Sequence, residues 1–171
     1  MNPILNLNEI ELHPRPAEYA APGEAAERFD ARLGELSRPL GARLLGYNVT
    51  LIPPGKRAFP FHSHQQNEEM FYIIEGRGEL RLGAQSYPVR SGDVIACPPG
   101  GVESAHQLIN TGDQDLRFLA VSTQIASEVC EYPDSGKFAI STEVTHANGG
   151  ESSVFRFVGR LENSLDYWDD E

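Results

Sequence analysis

Lysine is almost missing from this chain: Lys56 and Lys137 are the only two, and the remaining basic residues are scattered arginines. With 14 basic against 25 acidic residues, the net charge is -11. No basic stripe is present, so a phosphate backbone or an anionic membrane surface finds no electrostatic footing. No nucleic-acid partner and no membrane partner are expected. Cysteine is equally scarce. Cys97 and Cys130 form no CxxC, and a disulfide framework would use more, so two reduced thiols are expected. Long apolar runs are missing too. The longest, Met70 to Ile74, falls far short of a membrane span. The opening MNPILNLNEIELHPRP lacks the basic start and apolar stretch of a signal peptide. A cytoplasmic location is expected. GxSxG, Walker, GxGxxG and HExxH patterns are all absent, so the chemistries that depend on them have no support.

What is present fits one globular domain. The chain has 171 residues, 40% apolar and 23% charged, and these proportions exclude general disorder. Area scaling gives roughly 8,000 Å² exposed from roughly 27,000 Å² when extended, enough burial for a real core.

Residues 1–40 read as a proline-rich N-terminal arm covering one end of a sheet domain. Pro22-Gly23 is a breaker, and Glu24 and Glu27 would occupy the first turn of a helix, where the dipole favours acids. Ala25, Phe29, Leu33 and Leu36 recur at helical spacing, so one short helix is expected from about Glu24 to Leu36. Residues 41–160 change to short β-rich runs separated by turn signals such as Pro53-Pro54-Gly55 and Ser91-Gly92-Asp93. Runs are expected at 42–52, 69–76, 79–82, 85–90, 94–97, 104–110, 116–123 and 154–158, with another near Phe138. That spacing predicts an all-β barrel or sandwich. Residues 161–171 form an acidic tail around Tyr167 and Trp168.

The chemistry concentrates at His62, His64, Glu69 and His106. His62 and His64 are two apart, so on a strand both side chains point to one face. Glu69 opens the next strand, and His106 lies in a later run, AHQLIN. Three neutral imidazoles and one carboxylate suit a borderline divalent ion, and would leave it one positive charge in excess. Arg57, Gln66 and Glu68 lie near the first of these runs, and Cys97 near the second. His13 and His146 have no partner pattern and read as surface residues.

These residues also follow a known pattern. Gly55, His62, His64, Glu69 and Gly76 resemble the first motif of the cupin superfamily, with six residues between Gly55 and His62 and six between Glu69 and Gly76. Gly92, Pro98, Gly100, His106 and Asn110 resemble the second. There, five residues separate Gly100 from His106, an insertion of three relative to the family pattern. Strict spacing would place Glu103 at the histidine position, whereas the intact H-x3-N half selects His106. The resemblance implies a double-stranded β-helix (jelly-roll) barrel. It implies one divalent transition metal, Zn, Mn, Fe or Ni, held by His62, His64, Glu69 and His106. It also implies a small-molecule ligand or substrate, and edge-to-edge homodimers to which the N-terminal segment can add a strand. The family covers isomerases of sugar phosphates, dioxygenases and non-catalytic binding modules. A mononuclear metalloenzyme acting on a small polar metabolite is the favoured expectation and a binding module the alternative. No catalytic base is selected by the sequence, although Glu68 and Glu103 are candidates for an isomerase.

Overall fold

The structure is a computed structural model that describes residues 3–144 and 153–171. His146 lies outside these described residues. The strands, in chain order, are β1 (His13–Pro14), β2 (Arg32–Glu35), β3 (Leu45–Ile52), β4 (Ser63–His64), β5 (Glu69–Glu75), β6 (Arg77–Leu82), β7 (Gln85–Arg90), β8 (Val94–Cys97), β9 (His106–Ile109), β10 (Leu116–Thr123), β11 (Glu128–Tyr132), β12 (Lys137–Val144) and β13 (Ser153–Gly159). One short α-helix, α1, covers Ser37–Leu40. A six-stranded sheet has the order β1-β2-β3-β10-β5-β8. A four-stranded sheet runs β13-β12-β11-β4 and a three-stranded sheet β7-β6-β9. Together they form the all-β architecture that the strand spacing predicts, in the jelly-roll form that the resemblance implies.

The expected helix over 24–36 is not formed. Gly23–Glu27 makes a 3-10 turn and Arg32–Glu35 is strand β2. Leu33 and Gly34 pair with Thr50 and Val49 of β3. Sheet hydrogen bonding overrides a weak helical periodicity, and Gly34 is a poor helix former in any case. Its missing side chain also matters, since a Cβ there would lie 2.3 Å from Ile10 Cγ2. The arm therefore supplies sheet as well as cover. In the tail, Tyr167 and Trp168 pack edge-to-face on each other, 4.9 Å between centroids, and both remain exposed.

Register places the site. Cys97, Glu69, Ser122 and Gly46 face one another across β8, β5, β10 and β3. The next inward row is Ile95, Phe71, Ala120, Asn48 and Glu35. The row after that contains Ile73, Phe118 and Thr50. Residues opposite one another across a ladder share a face, so the barrel lining is apolar at Phe118 and turns polar toward Glu69. Gly76 ends β5 with φ +85°, and a Cβ there would lie 2.3 Å from Asp115 O. Only glycine combines that left-handed backbone with that approach.

Phe118 is 1% exposed and meets Phe71 edge-to-face at 5.5 Å. Phe118→Ala is expected to lower stability by about 3–5 kcal/mol, read as a drop in the denaturant midpoint at unchanged slope.

Candidate metal centre

Each candidate ligand is positioned by a different constraint. His62 and His106 form an antiparallel bridge. His106 N donates to His62 O at 2.8 Å and His62 N donates to His106 O at 3.2 Å. Side chains of such a pair lie on the same side of the ladder. His64, in β4, lies opposite Cys130 of β11. Glu69 begins β5 opposite Ser122 and Cys97.

The turn that joins His64 to Glu69 is built around a buried carboxylate from elsewhere in the chain. Glu128 is 6% exposed. It accepts backbone N–H groups from Gln65 at 3.0 Å, Gln66 at 3.1 Å, Asn67 at 2.8 Å and Val129 at 2.8 Å. The Asn67 side-chain amide donates to it as well. Burial alone would raise the Glu128 carboxyl, but these donors outweigh it and hold the group below the usual range. Asn67 Oδ1 in turn accepts from Thr123 Oγ1 and Ile125 N. The turn is thereby tied to both β10 and β11.

The three imidazoles converge on one oxygen. Glu69 Oε2 is 2.9 Å from His106 Nε2, 3.4 Å from His64 Nε2 and 3.9 Å from His62 Nε2. One ligand atom from each of the four residues lies within 4.8 Å of all the others. The far nitrogens are occupied. His62 Nδ1 is 2.8 Å from Pro60 O and His106 Nδ1 is 3.2 Å from Ser104 O. A carbonyl can only accept, so both Nδ1 atoms donate, and the Nε2 atom of each ring is turned toward the centre. His64 Nδ1 faces Cys130 Sγ at 3.3 Å and Glu128 Oε2 at 3.5 Å. Its Nε2 is buried and, among the described residues, has no hydrogen-bond partner. An orphaned ring nitrogen aimed at two more imidazoles and a carboxylate fits a divalent metal ion.

Electrostatics agree. Burial, and then the neighbouring His106, lower His62 to about 4. Burial also acts to lower His64, but its contacts with Cys130 and Glu69 raise it to about 10. Burial acts to raise Glu69, yet the hydrogen bond from His106 and the nearby His64 and His62 rings hold it well below the usual carboxylate range. The cluster carries a proton where a metal ion would carry charge.

The other candidates fall outside the cluster. Glu103 is exposed and its Oε1 accepts from Gly101 N at 3.1 Å. Gln66 and Glu68 are exposed, and Arg57 lines a different cavity. Neither Glu68 nor Glu103 joins the four ligands, so neither is placed as a base. Cys97 is buried and pushed up to about 12 by burial and by Glu69, which keeps it a protonated core thiol. Asn110, fully buried, bonds Ile52 O and Gln114 O and is structural. His13 is exposed beside Glu11. Glu128 and Cys130 were not anticipated as neighbours of His64. The alternation in EVCEY (128–132) was the available signal, because it marks a strand with Glu128, Cys130 and Tyr132 on one face.

Residues 48–122 match the family model described as "Cupin domain". These residues are a cupin domain. A solved cupin described as a sugar phosphate isomerase, from Silicibacter pomeroyi, is similar over 98% of both chains, with TM-score 0.75 and 25% identity. An oxalate-binding protein of Thermotoga maritima is 36% identical over 70 residues, 41% of this chain and 54% of that one. A glucose-6-phosphate isomerase of Thermococcus onnurineus is 32% identical over 89 residues, 45% of this chain and 46% of that one. The chain thus spans about half the length of the curated relatives it matches. No helix among the described residues is long and apolar enough to cross a membrane.

Metal binding must displace the His64 proton. Affinity is therefore expected to rise with pH between about 6 and 8, with about one proton released per ion. Calorimetric titration of zinc or manganese in two buffers of different ionisation enthalpy measures that number.

Proposed function

We propose that this cupin is a mononuclear metal-dependent enzyme acting on a small polar metabolite, with isomerase-type chemistry. The observation that carries this reading is the orphaned His64 Nε2 within a cluster of three imidazoles and one carboxylate. His62, His64, Glu69 and His106 would hold the ion. When bound, it would supply Lewis acidity at a carbonyl or hydroxyl oxygen. This chain's own part is to orient the four side chains and to surround the reacting group with the Phe71 and Ala120 row. Likeness over 98% of both chains to a cupin described as a sugar phosphate isomerase supports isomerisation over other cupin chemistries. A non-catalytic binding module is the second reading, supported by the 36% identity to an oxalate-binding protein.

Elemental analysis of native and Glu69→Ala protein, purified without chelator, tests the reading. One zinc, manganese, iron or nickel per chain is expected in the native protein and none in the variant. Metal in native protein with no turnover on aldose–ketose panels favours the binding module. Iron with oxygen uptake instead favours dioxygenase chemistry. A protein that neither carries nor takes up metal overturns both metal readings.

We also propose that the chain works as a homodimer. It exposes 11292 Å², against roughly 8,000 Å² for a compact monomer of this mass. β13 is an edge strand whose Val154, Phe155, Phe157 and Val158 are all exposed. Such an edge pairs readily with a second copy of itself. Light scattering is expected to give about twice 18.9 kDa for the native chain and the single mass for Phe155→Glu.

A further inference from the structure

A pocket of about 220 Å³ opens beside Glu69, lined also by Glu35, Ser37, Asn48, Ser122 and Gln124. Glu35, Asn48, Ser122 and Glu69 are all on the inward face by register. None of the lining residues is a lysine or arginine. Four cations, Arg15, Arg28, Arg57 and Lys137, gather instead in a larger cavity of about 780 Å³ under the arm, which none of the four ligands lines.

The protein leaves this lining with hydrogen-bonding capacity to spare. Asn48 Oδ1 accepts from Thr50 Oγ1 at 2.7 Å, and among the described residues its amide nitrogen has no partner. The Ser122 hydroxyl and the Gln124 side-chain amide have none either. Glu35 Oε1 accepts from Ser37 Oγ and from Arg38 N, and among the described residues its Oε2 has no donor. Gly46 keeps the space open, since a Cβ there would lie 2.7 Å from Gln124 Nε2 and 3.4 Å from Ser122 Oγ. Glu35 and Gln124 are exposed and Asn48 and Ser122 half-buried, so these donors and this carboxylate oxygen are open to a ligand that both accepts and donates.

Charge narrows the class. A divalent ion with Glu69 would keep one excess positive charge, and the only other charged side chain of this lining, Glu35, is again an acid. A phosphate monoester brings a charge of about -1.5 to -2 at neutral pH and would meet a carboxylate with no cationic partner. Size narrows it further. A cavity of about 150 Å³ takes benzene, so this one has room for about eight to ten heavy atoms. We propose that the pocket binds an unphosphorylated four- or five-carbon hydroxylated compound, a free sugar or polyol, as the substrate of the metal centre. This rests on the metalloenzyme reading above and departs from a phosphorylated substrate.

The test uses the full chain loaded with zinc or manganese, its metal content measured in the same samples. D-Erythrose, D-xylulose and D-ribulose are titrated against erythrose 4-phosphate, xylulose 5-phosphate and ribulose 5-phosphate, by saturation-transfer NMR and calorimetry. The neutral member of a pair is expected to bind at least tenfold more tightly. Asn48→Ala is expected to weaken it about tenfold with metal content unchanged. Ser122→Ala serves the same purpose if Asn48→Ala fails to fold. Glu35→Gln is expected to raise affinity for the phosphorylated member severalfold. Tighter binding of the phosphates, or no binding of any member to metal-loaded protein, overturns the proposal and leaves the metal centre standing. Protein that takes up no metal fails the metal reading, and this proposal with it.

Discussion

Two backbone hydrogen bonds between His62 and His106 decide where the candidate chemistry sits. They join the short β4 segment to β9, 44 residues further along the chain, and put two imidazoles on one side of the join. His64, two residues on from His62, then faces inward by strand alternation. The carbonyls of Pro60 and Ser104 take the outer N–H of two rings, which fixes both tautomer and rotation. A ring held that way presents its Nε2 atom to the centre with little orientational freedom left to lose. Glu128 completes the frame from the other side. A buried carboxylate is costly unless donors surround it, and here four backbone N–H groups do so. Those same bonds shape the turn between His64 and Glu69, so the group that needs solvation and the turn that needs a shape satisfy each other.

Much of this was legible because the ligand spacing is bound to backbone geometry. The gap from Glu69 to Gly76 is the length of β5, and the glycine is required by its positive φ and its contact with Asp115 O. The six-residue gap to Gly76 points to Glu69 rather than Glu68, and in the structure Glu69 is inward while Glu68 is exposed. The insertion before His106 proved harmless for a local reason. Residues 101–105 close an extra turn, with Ser104 N donating to Gly101 O at 3.1 Å and Ala105 N to Val102 O at 3.3 Å. The turn leaves Glu103 in solvent and returns His106 to the ladder in register.

What was not legible depended on partners far away in sequence. Ala25, Phe29, Leu33 and Leu36 have helical spacing, yet β3 offered Leu33 and Gly34 a ladder, and tertiary pairing won. Glu128 and Cys130 meet His64 only because β11 pairs with β4 across more than sixty residues. Nothing in EVCEY names that partner. The polar mouth was hidden for the same reason. Glu35, Asn48 and Ser122 come from three separate strands, and each alone reads as an ordinary surface residue.

The strongly acidic composition acquires a local meaning once the rows of the barrel are laid out. From Phe118 toward Glu69 the inward face passes from apolar side chains to amides, hydroxyls and carboxylates. A barrel that simply needed a core would continue the apolar series to its rim, because polar groups near the interior cost free energy unless they are paired. Here the series stops at a cluster in which one buried ring nitrogen has no partner, next to side chains whose hydrogen-bonding groups the protein does not use. Packing explains the Phe71–Phe118 half of the barrel. It does not explain the other half, whose free lone pairs and donors make physical sense when an ion and a small hydroxylated ligand complete them.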